Sequence, residues 1–320
     1  MAQPMLRRLK ERSPDSIINI FAAPWVAPVL ERMAEVHRIV LNPFGHGDLN
    51  LRGRWQFGRQ LRLDGYDQAI VLPNSLKSAL IPFFAGIPLR TGYVGELRYG
   101  LLNDARPLDK HHLPLLVERF SALAGERESP SRHTSPYPYL QSTQDQQHAA
   151  LSRLGLAPQK PVAVFCPGAE YGPAKRWPAT HFAELAKQLS QSHEIWLLGS
   201  GKDAAIGEEI ALLSNGAARN LCGKTGLGDA IDLLAAADQV VSNDSGLMHI
   251  AAALDKPLLA LFGSSSPGYT PPLSKKASVL SLNLPCSPCF KRECPLGHLD
   301  CLQKLTPQRV YEEMAKLKAA

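Results

Sequence analysis

Long apolar runs are missing from this 320-residue chain. A membrane-spanning helix needs roughly 18 or more consecutive apolar residues. The most apolar stretch, ALIPFFAGIP at 79–88, falls well short and is broken by Pro82 and Pro88. Met1 to Arg12 carries charges but no following apolar segment, which excludes a signal peptide in that stretch. The expected location is therefore the cytoplasm, with reduced cysteines. No dense Lys/Arg run and no aromatic-interleaved basic stripe is present, so a nucleic-acid partner is not expected. The G-x-G-x-x-G fingerprint is absent, and so is the G-x-x-x-x-G-K-[ST] loop. No D-x-D triplet occurs. An enzyme acting on a sugar nucleotide without that metal-binding pair must stabilise its departing diphosphate with helix amides and Lys or Arg.

What remains is a globular composition: 45% hydrophobic, 20% charged, with a formal net charge of +6. The length fits two ordinary domains. The modest basic excess favours an anionic partner without choosing one. Ser16–Ala23, Arg38–Leu41, Gln68–Leu72 and Leu89–Val94 read as strands. Pro28–Met33 and residues 113–124 read as helices. Residues 126–148 are polar, proline-bearing and aperiodic, and read as a linker region. The second half alternates strands (161–166, 194–198, 239–242, 258–262) with helices (178–189, 204–213, 228–237, 246–254). Continuously apolar strands between amphipathic helices predict a parallel sheet covered on both faces. The expected class is α/β, with two Rossmann-like domains facing a cleft.

The stretch VVSNDSGLMHIAAAL, 240–254, places Asp244, Ser245 and Gly246 where a strand ends and a helix begins. Ligands of open parallel sheets bind at the carboxyl ends of strands, and free amides at a helix start favour phosphate. His249 follows Ser245 by one helical turn. The plainer alternative is that Asp244 or Ser245 only caps the helix. PGAEYGPAKRWP, 167–178, also joins a strand to a helix. Its adjacent cations, Lys175 and Arg176, could neutralise a diphosphate. A solvated loop entering a helix at a proline explains the punctuation but not the paired cations. In LLGSGKD, 197–203, Asp203 could bind a ribose hydroxyl or simply belong to a turn. CGKTGL (222–227) and GSSSP (263–267) end further strands of the same half.

With VLPNSLKSALIPFFAGIPLRTGY, YGLLND and LFGSSSPGYTPPLS, these stretches resemble the family 9 glycosyltransferases, the lipopolysaccharide heptosyltransferases of GT-B fold. The similarity runs along nearly the whole chain. It implies an N-terminal acceptor domain (1–148), a C-terminal ADP-heptose domain (149–305) and a final helix (306–320) packing back on the N-terminal domain. It implies inverting, metal-independent transfer from ADP-heptose to the heptosylated Kdo–lipid A inner core, at the inner face of the cytoplasmic membrane, with no cofactor. Lys175 resembles the lysine on the donor phosphates. Asp244, Ser245, Gly246, Leu247 and His249 match the donor-binding helix start. Gly168, Ala169 and Glu170 match the loop beside the donor sugar. Arg52, Arg54, Lys77 and Arg90 are candidate contacts for a phosphate- and carboxylate-rich acceptor, or solvated surface charge. The family's opening strand and the aspartate loop that supplies its catalytic base have no counterpart here. Met1 falls within the helix that follows them. The chain is therefore expected to be truncated, with its N-terminal sheet lacking a central strand. A non-catalytic ADP-sugar binder, or another GT-B nucleotide-sugar enzyme, is the alternative reading.

Four of the six cysteines, Cys286, Cys289, Cys294 and Cys301, cluster with His298 among them. The ligand types suit zinc, but the spacing is not that of a zinc ribbon. Free thiols or a facultative disulfide are the alternative.

Overall fold

The computed structural model describes residues 1–126 and 135–319. Part of the expected linker falls on 127–134, outside the described residues. The first half contains α1 (Gln3–Arg12), β1 (Asn19–Ala22), α2 (Ala27–Leu30), β2 (Arg38–Leu41), α3 (Leu51–Leu61), β3 (Gln68–Val71), α4 (Leu76–Phe84), β4 (Leu89–Tyr93), β5 (Asp104–Arg106) and α5 (Leu116–Leu123). It is followed by α6 (Gln144–Arg153), β6 (Val162–Cys166), α7 (Ala179–Leu189), β7 (Glu194–Leu197), α8 (Ala204–Leu213), β8 (Ala218–Asn220), α9 (Leu227–Ala236) and β9 (Gln239–Asn243). The last elements are α10 (Gly246–Ala253), β10 (Leu258–Leu261), β11 (Ala277–Leu280), α11 (Asp300–Gln303) and α12 (Pro307–Ala319).

The chain forms two units. One comprises Met1–Pro24 and Glu35–Pro136, the other Trp25–Ala34 and Tyr137–Ala320. The second unit takes up the chain at Tyr137, ahead of the expected division at 148, and Trp25–Ala34 also belongs to it. Arg32 explains this locally: it donates to Asp232 at 2.9 Å, and its carbonyl accepts from the Gln141 amide at 3.0 Å. The other end of the expected linker is helical. Thr143 and Gln146 cap α6 reciprocally, a T-x-x-Q capping box readable from sequence.

In the first unit, β1 pairs only with β2, and β3, β4 and β5 form a separate sheet, all pairings parallel. Among the described residues no strand joins β1 to β3, so each small sheet keeps an edge with unpaired backbone groups. Met5 and Leu6 of α1 are buried, and Arg8 donates to the Ser121 carbonyl of α5 at 2.9 Å.

The second unit is a six-stranded parallel sheet in the order β11-β10-β9-β6-β7-β8. Every residue of β6 and β9 is buried. The alternation of side chains along a strand then feeds two cores. Val162, Val164 and Cys166 pack on one face with Leu233, Leu234 and Ile250. Ala163 and Phe165 pack on the other with Phe182, Leu185 and Ile210. Val310 and Met314 of α12 belong to this second core. The final helix is therefore an integral layer of the second unit. Its buried positions recur at helical spacing, which fixes it on this sheet.

Candidate functional site

The strand order of the second unit places β6 beside β9. The chain leaves β6 toward β7 and β8 on one side, then returns at β9 and continues to β10 and β11 on the other. The point where the direction reverses opens a crevice at the carboxyl ends of β6 and β9, the usual ligand position in such sheets. The two loops that sequence alone singled out, 167–178 and 244–246, leave these two strands.

Lys175, from the loop after β6, reaches across to Asp244, from the end of β9, with Nζ 2.5 Å from Oδ2. Both side chains are largely shielded from water. Tyr171 places its ring 5.1 Å from the Lys175 ammonium, and the Arg292 guanidinium lies 5.4 Å from the same ring. The loop itself is held by a residue the sequence did not single out. Asn243 is fully buried; its Nδ2 donates to the Pro167 carbonyl at 2.7 Å and its Oδ1 accepts from the Trp177 amide at 3.0 Å. One amide group thus staples both ends of the loop to β9. Trp177, also fully buried, donates its indole N–H to the Leu305 carbonyl at 2.7 Å.

At the start of α10, Ser245 occupies the N-cap position, yet its side chain makes no capping bond. Its hydroxyl lies 3.3 Å from that of Ser242. Asp244 is engaged with Lys175. Neither residue therefore serves as a simple cap, and the first amides of α10 remain available. A Cβ added at Gly246 would meet nothing within 4 Å. Uncapped amides, a helix dipole and a shielded ammonium are together suited to an anion. Burial pushes the His249 imidazole down to about 4, so the ring is neutral at pH 7 and can accept or donate one hydrogen bond. Leu247 packs against the core beneath and acts as an anchor for the helix.

The remaining donor candidates have different roles. A Cβ on Gly168 would lie 2.4 Å from Cγ of Asp203, so only glycine lets the loop pass this carboxylate. Asp203 is buried, and its Oδ2 accepts from the Ser200 amide at 2.9 Å and hydroxyl at 2.7 Å. That oxygen serves the local turn. Ala169 is buried, and its carbonyl accepts from Arg176 at 3.4 Å. Glu170 stands at the surface paired with Lys202 at 2.5 Å, which holds its carboxyl below the usual range. After β10, Ser264 and Ser265 are buried with no hydrogen-bond partner on either hydroxyl. Three consecutive serines after an apolar strand were the available signal for them.

In the first unit the four acceptor candidates divide. Arg54 is 4% exposed and spends its guanidinium on the carbonyls of Leu49, Asp48 and Lys77 at 2.6, 2.9 and 3.2 Å, stacked over Phe44. Arg90 donates to the carbonyls of Leu101 and Ile87 at 2.7 and 2.5 Å. These two arginines organise the chain around them and have few donors left for a ligand. Arg52 is exposed and Lys77 half-buried, and both can reach solvent.

The four clustered cysteines open onto one pocket of the second unit, together with Ala174 and Ser264. No group of three or more His, Cys, Asp or Glu side chains among the described residues is already gathered around one point for a metal. No helix among them is long and apolar enough to cross a membrane.

Comparison with known proteins converges on one family. The model described as glycosyltransferase family 9 (heptosyltransferase) matches residues 54–300. The chain is 49% identical to lipopolysaccharide heptosyltransferase 2 of Salmonella typhimurium, over 99% of this chain and 94% of the relative. It is 47% identical to lipopolysaccharide heptosyltransferase 2 of Escherichia coli, again over 99% and 94%. Among solved structures, E. coli ADP-heptose lps heptosyltransferase II superposes with a TM-score of 0.89 at 44% identity, covering 99% of this chain and 93% of that one. A family 9 glycosyltransferase from Veillonella parvula shares the fold, with a TM-score of 0.82 at 19% identity and coverage of 99% and 92%.

Proposed function

Because the chain belongs to glycosyltransferase family 9, the heptosyltransferases, we propose that it transfers heptose from ADP-heptose to the heptosylated Kdo–lipid A core during lipopolysaccharide synthesis. The observation that carries the donor half of this reading is the Lys175–Asp244 pair, which spans β6 and β9 beside the uncapped start of α10. Identities of 47–49% to proteins named for this transfer favour it over another nucleotide-sugar reaction on the same α/β, GT-B type fold.

In this reading the diphosphate of ADP-heptose lies at the start of α10. Lys175 exchanges its hold on Asp244 for the phosphates, and Asp244 turns to sugar or ribose hydroxyls. An acceptor hydroxyl attacks the anomeric carbon from the face opposite ADP. The bond between that carbon and the diphosphate oxygen breaks with inversion. Charge builds on the leaving oxygen and is met by the Lys175 ammonium and the α10 amides. The acceptor proton passes to a general base that we assign to no residue of this chain. Charge stabilisation of this kind needs no metal in the transfer step. Arg52 and Lys77 are the acceptor contacts we retain, and the lipid-borne acceptor puts the protein at the membrane surface.

The test is calorimetric binding of ADP and ADP-heptose to the 320-residue chain, beside a transfer assay with the heptosylated core. Binding that weakens in Lys175→Ala supports the donor site. Absence of binding by the intact chain would overturn it.

A further inference from the structure

We propose that Cys286, Cys289, Cys294 and Cys301 form a four-thiolate site for one thiophilic transition-metal ion, zinc or iron, and that the ion braces the loop carrying Lys175. Two observations converge. First, all four thiols open onto the same pocket, which also exposes Ala174 of the loop after β6 and Ser264 of the loop after β10. Second, the Ser264 hydroxyl on that pocket is 99% buried and without a partner among the described residues. Such a donor is costly to leave idle unless something in the pocket accepts from it, and a metal-bound thiolate does.

The donor set chooses the metal class. Four thiolates select zinc or iron over magnesium or calcium, which take oxygen. His298 is not a ligand. Its Nδ1 accepts from the Asp300 amide at 2.9 Å, which leaves the proton of the neutral ring on Nε2. Among the described residues no three of these side chains already stand around one point, so binding would draw the thiols together around the ion. Each then loses its proton to solvent as its bond to the metal forms, at about 2.3 Å for zinc. A closed four-sulfur shell has no open position, so the role is structural and separate from heptose transfer.

The segment carrying the cysteines is tied to both donor-side loops. The Arg292 carbonyl accepts from the Ala174 amide at 3.0 Å, and the Phe290 carbonyl accepts from the Tyr171 hydroxyl at 2.8 Å. The Phe290 amide donates to the Ser264 carbonyl at 2.7 Å, and the Ser287 hydroxyl donates to the Gly263 carbonyl. A Cβ on Gly172 would stand 2.5 Å from the Arg292 carbonyl oxygen, a contact that only glycine allows. Fixing 286–301 with a metal therefore fixes 171–175.

The experiment is a cobalt(II) titration of the full chain, reduced, stripped of metal and kept anaerobic. Intense visible bands of a tetrahedral tetrathiolate, saturating at one equivalent and bleached by zinc, are expected. Cys289→Ser and Cys301→Ser should each weaken cobalt affinity at least tenfold. In the unmutated protein, zinc should raise the melting temperature and slow exchange of the Ala174 amide. Absence of the bands, or bands that survive in the Cys289→Ser/Cys301→Ser double variant, would overturn the site. So would a purified protein whose cysteines are paired as disulfides and take up no cobalt after reduction. Cobalt binding without slower Ala174 exchange would overturn the bracing role.

Discussion

Removing the Asn243 side chain should release the loop that presents Lys175. The carboxamide is fully buried and makes two bonds, 2.7 Å to the Pro167 carbonyl and 3.0 Å from the Trp177 amide. In Asn243→Ala both backbone groups lose their partner. Each buried group left unpaired costs about 1–3 kcal/mol, so the pair costs about 2–6 kcal/mol. That is a large share of a domain stability of about 5–15 kcal/mol. In a unit of this size it corresponds to a fall in Tm of at least about 4 °C. Part of the cost can be avoided if the loop lifts and lets water reach both groups. In that case Tm falls less, but Lys175 is no longer held at the crevice and ADP binds more weakly.

The assay is therefore double: calorimetric melting, and ADP affinity on the same sample, with hydrogen exchange at the Trp177 amide as the local probe. Asn243→Asp separates the two ends, because the remaining oxygen still accepts from Trp177 while the other now faces the Pro167 carbonyl and repels it. A variant with unchanged Tm, unchanged ADP affinity and a still-protected Trp177 amide would refute the stapling role.

Lys175→Ala should weaken ADP binding roughly 10- to 100-fold, the range for losing a charge-assisted bond to phosphate, and should also lower Tm because Asp244 is left shielded and unpaired. The Lys175→Ala/Asp244→Asn double variant should recover stability but not affinity; recovered affinity would exclude the phosphate role. Gly168→Ala should lower Tm by displacing the Asp203 carboxylate 2.4 Å away, and an unchanged melting curve would refute that contact. Arg54→Ala should destabilise the first unit while leaving the acceptor KM of transfer unchanged, since its guanidinium is spent on three carbonyls. His249 titrates at about 4 when folded, below the usual value near 6.5, so the unfolded chain binds the proton more readily. Its contribution to stability is complete above about pH 6.5 and is lost as pH falls toward 4, by about 3 kcal/mol in all; the difference in Tm between His249→Gln and the unmutated protein should shrink across that window.

The second unit was legible because its strands are buried on both sides. β6 and β10 are apolar throughout, β7 and β9 have apolar centres (Ile195–Leu197, Val240–Val241), and the helices between them carry one apolar face, so pattern alone fixed their order along the chain. Asp244–Gly246 and Lys175 could be found because strand ends followed at once by small, charged or hydroxyl residues are where such sheets bind ligands. Pattern could not reveal which strands become neighbours. Only the placement of β6 against β9 shows that Lys175 and Asp244 touch. The role of Asn243 was hidden for the same reason: an asparagine beside an aspartate at a strand end reads as one more polar loop residue, and its partners lie 66 and 76 positions away.

The first unit was harder to read, and the arginines show why. Arg52, Arg54, Lys77 and Arg90 are equivalent as sequence: isolated cations in a half expected to meet an anionic acceptor. The fold distinguishes them by how many carbonyls surround each one. Arg54 closes the turn before α3, and Arg90 closes the segment between α4 and β5; their long side chains reach backbone groups that no secondary structure satisfies. The buried Arg98, which no motif indicated, does the same for the Pro73 carbonyl at 2.6 Å. With β1–β2 and β3–β5 in separate small sheets, more of this unit's backbone ends without a ladder partner than in the second unit. Guanidinium groups, with five donors each, are the side chains best able to fill such gaps. A net charge of +6 therefore overstates the cation available to a ligand, and Arg52 and Lys77 are better first targets than Arg54 and Arg90 when the acceptor surface is mapped. Charge reversal at Arg52 and Lys77 together should raise the acceptor KM with little change in Tm, whereas the same reversal at Arg54 and Arg90 should lower Tm sharply. The opposite pattern would mean that the carbonyl clamps open when the acceptor binds.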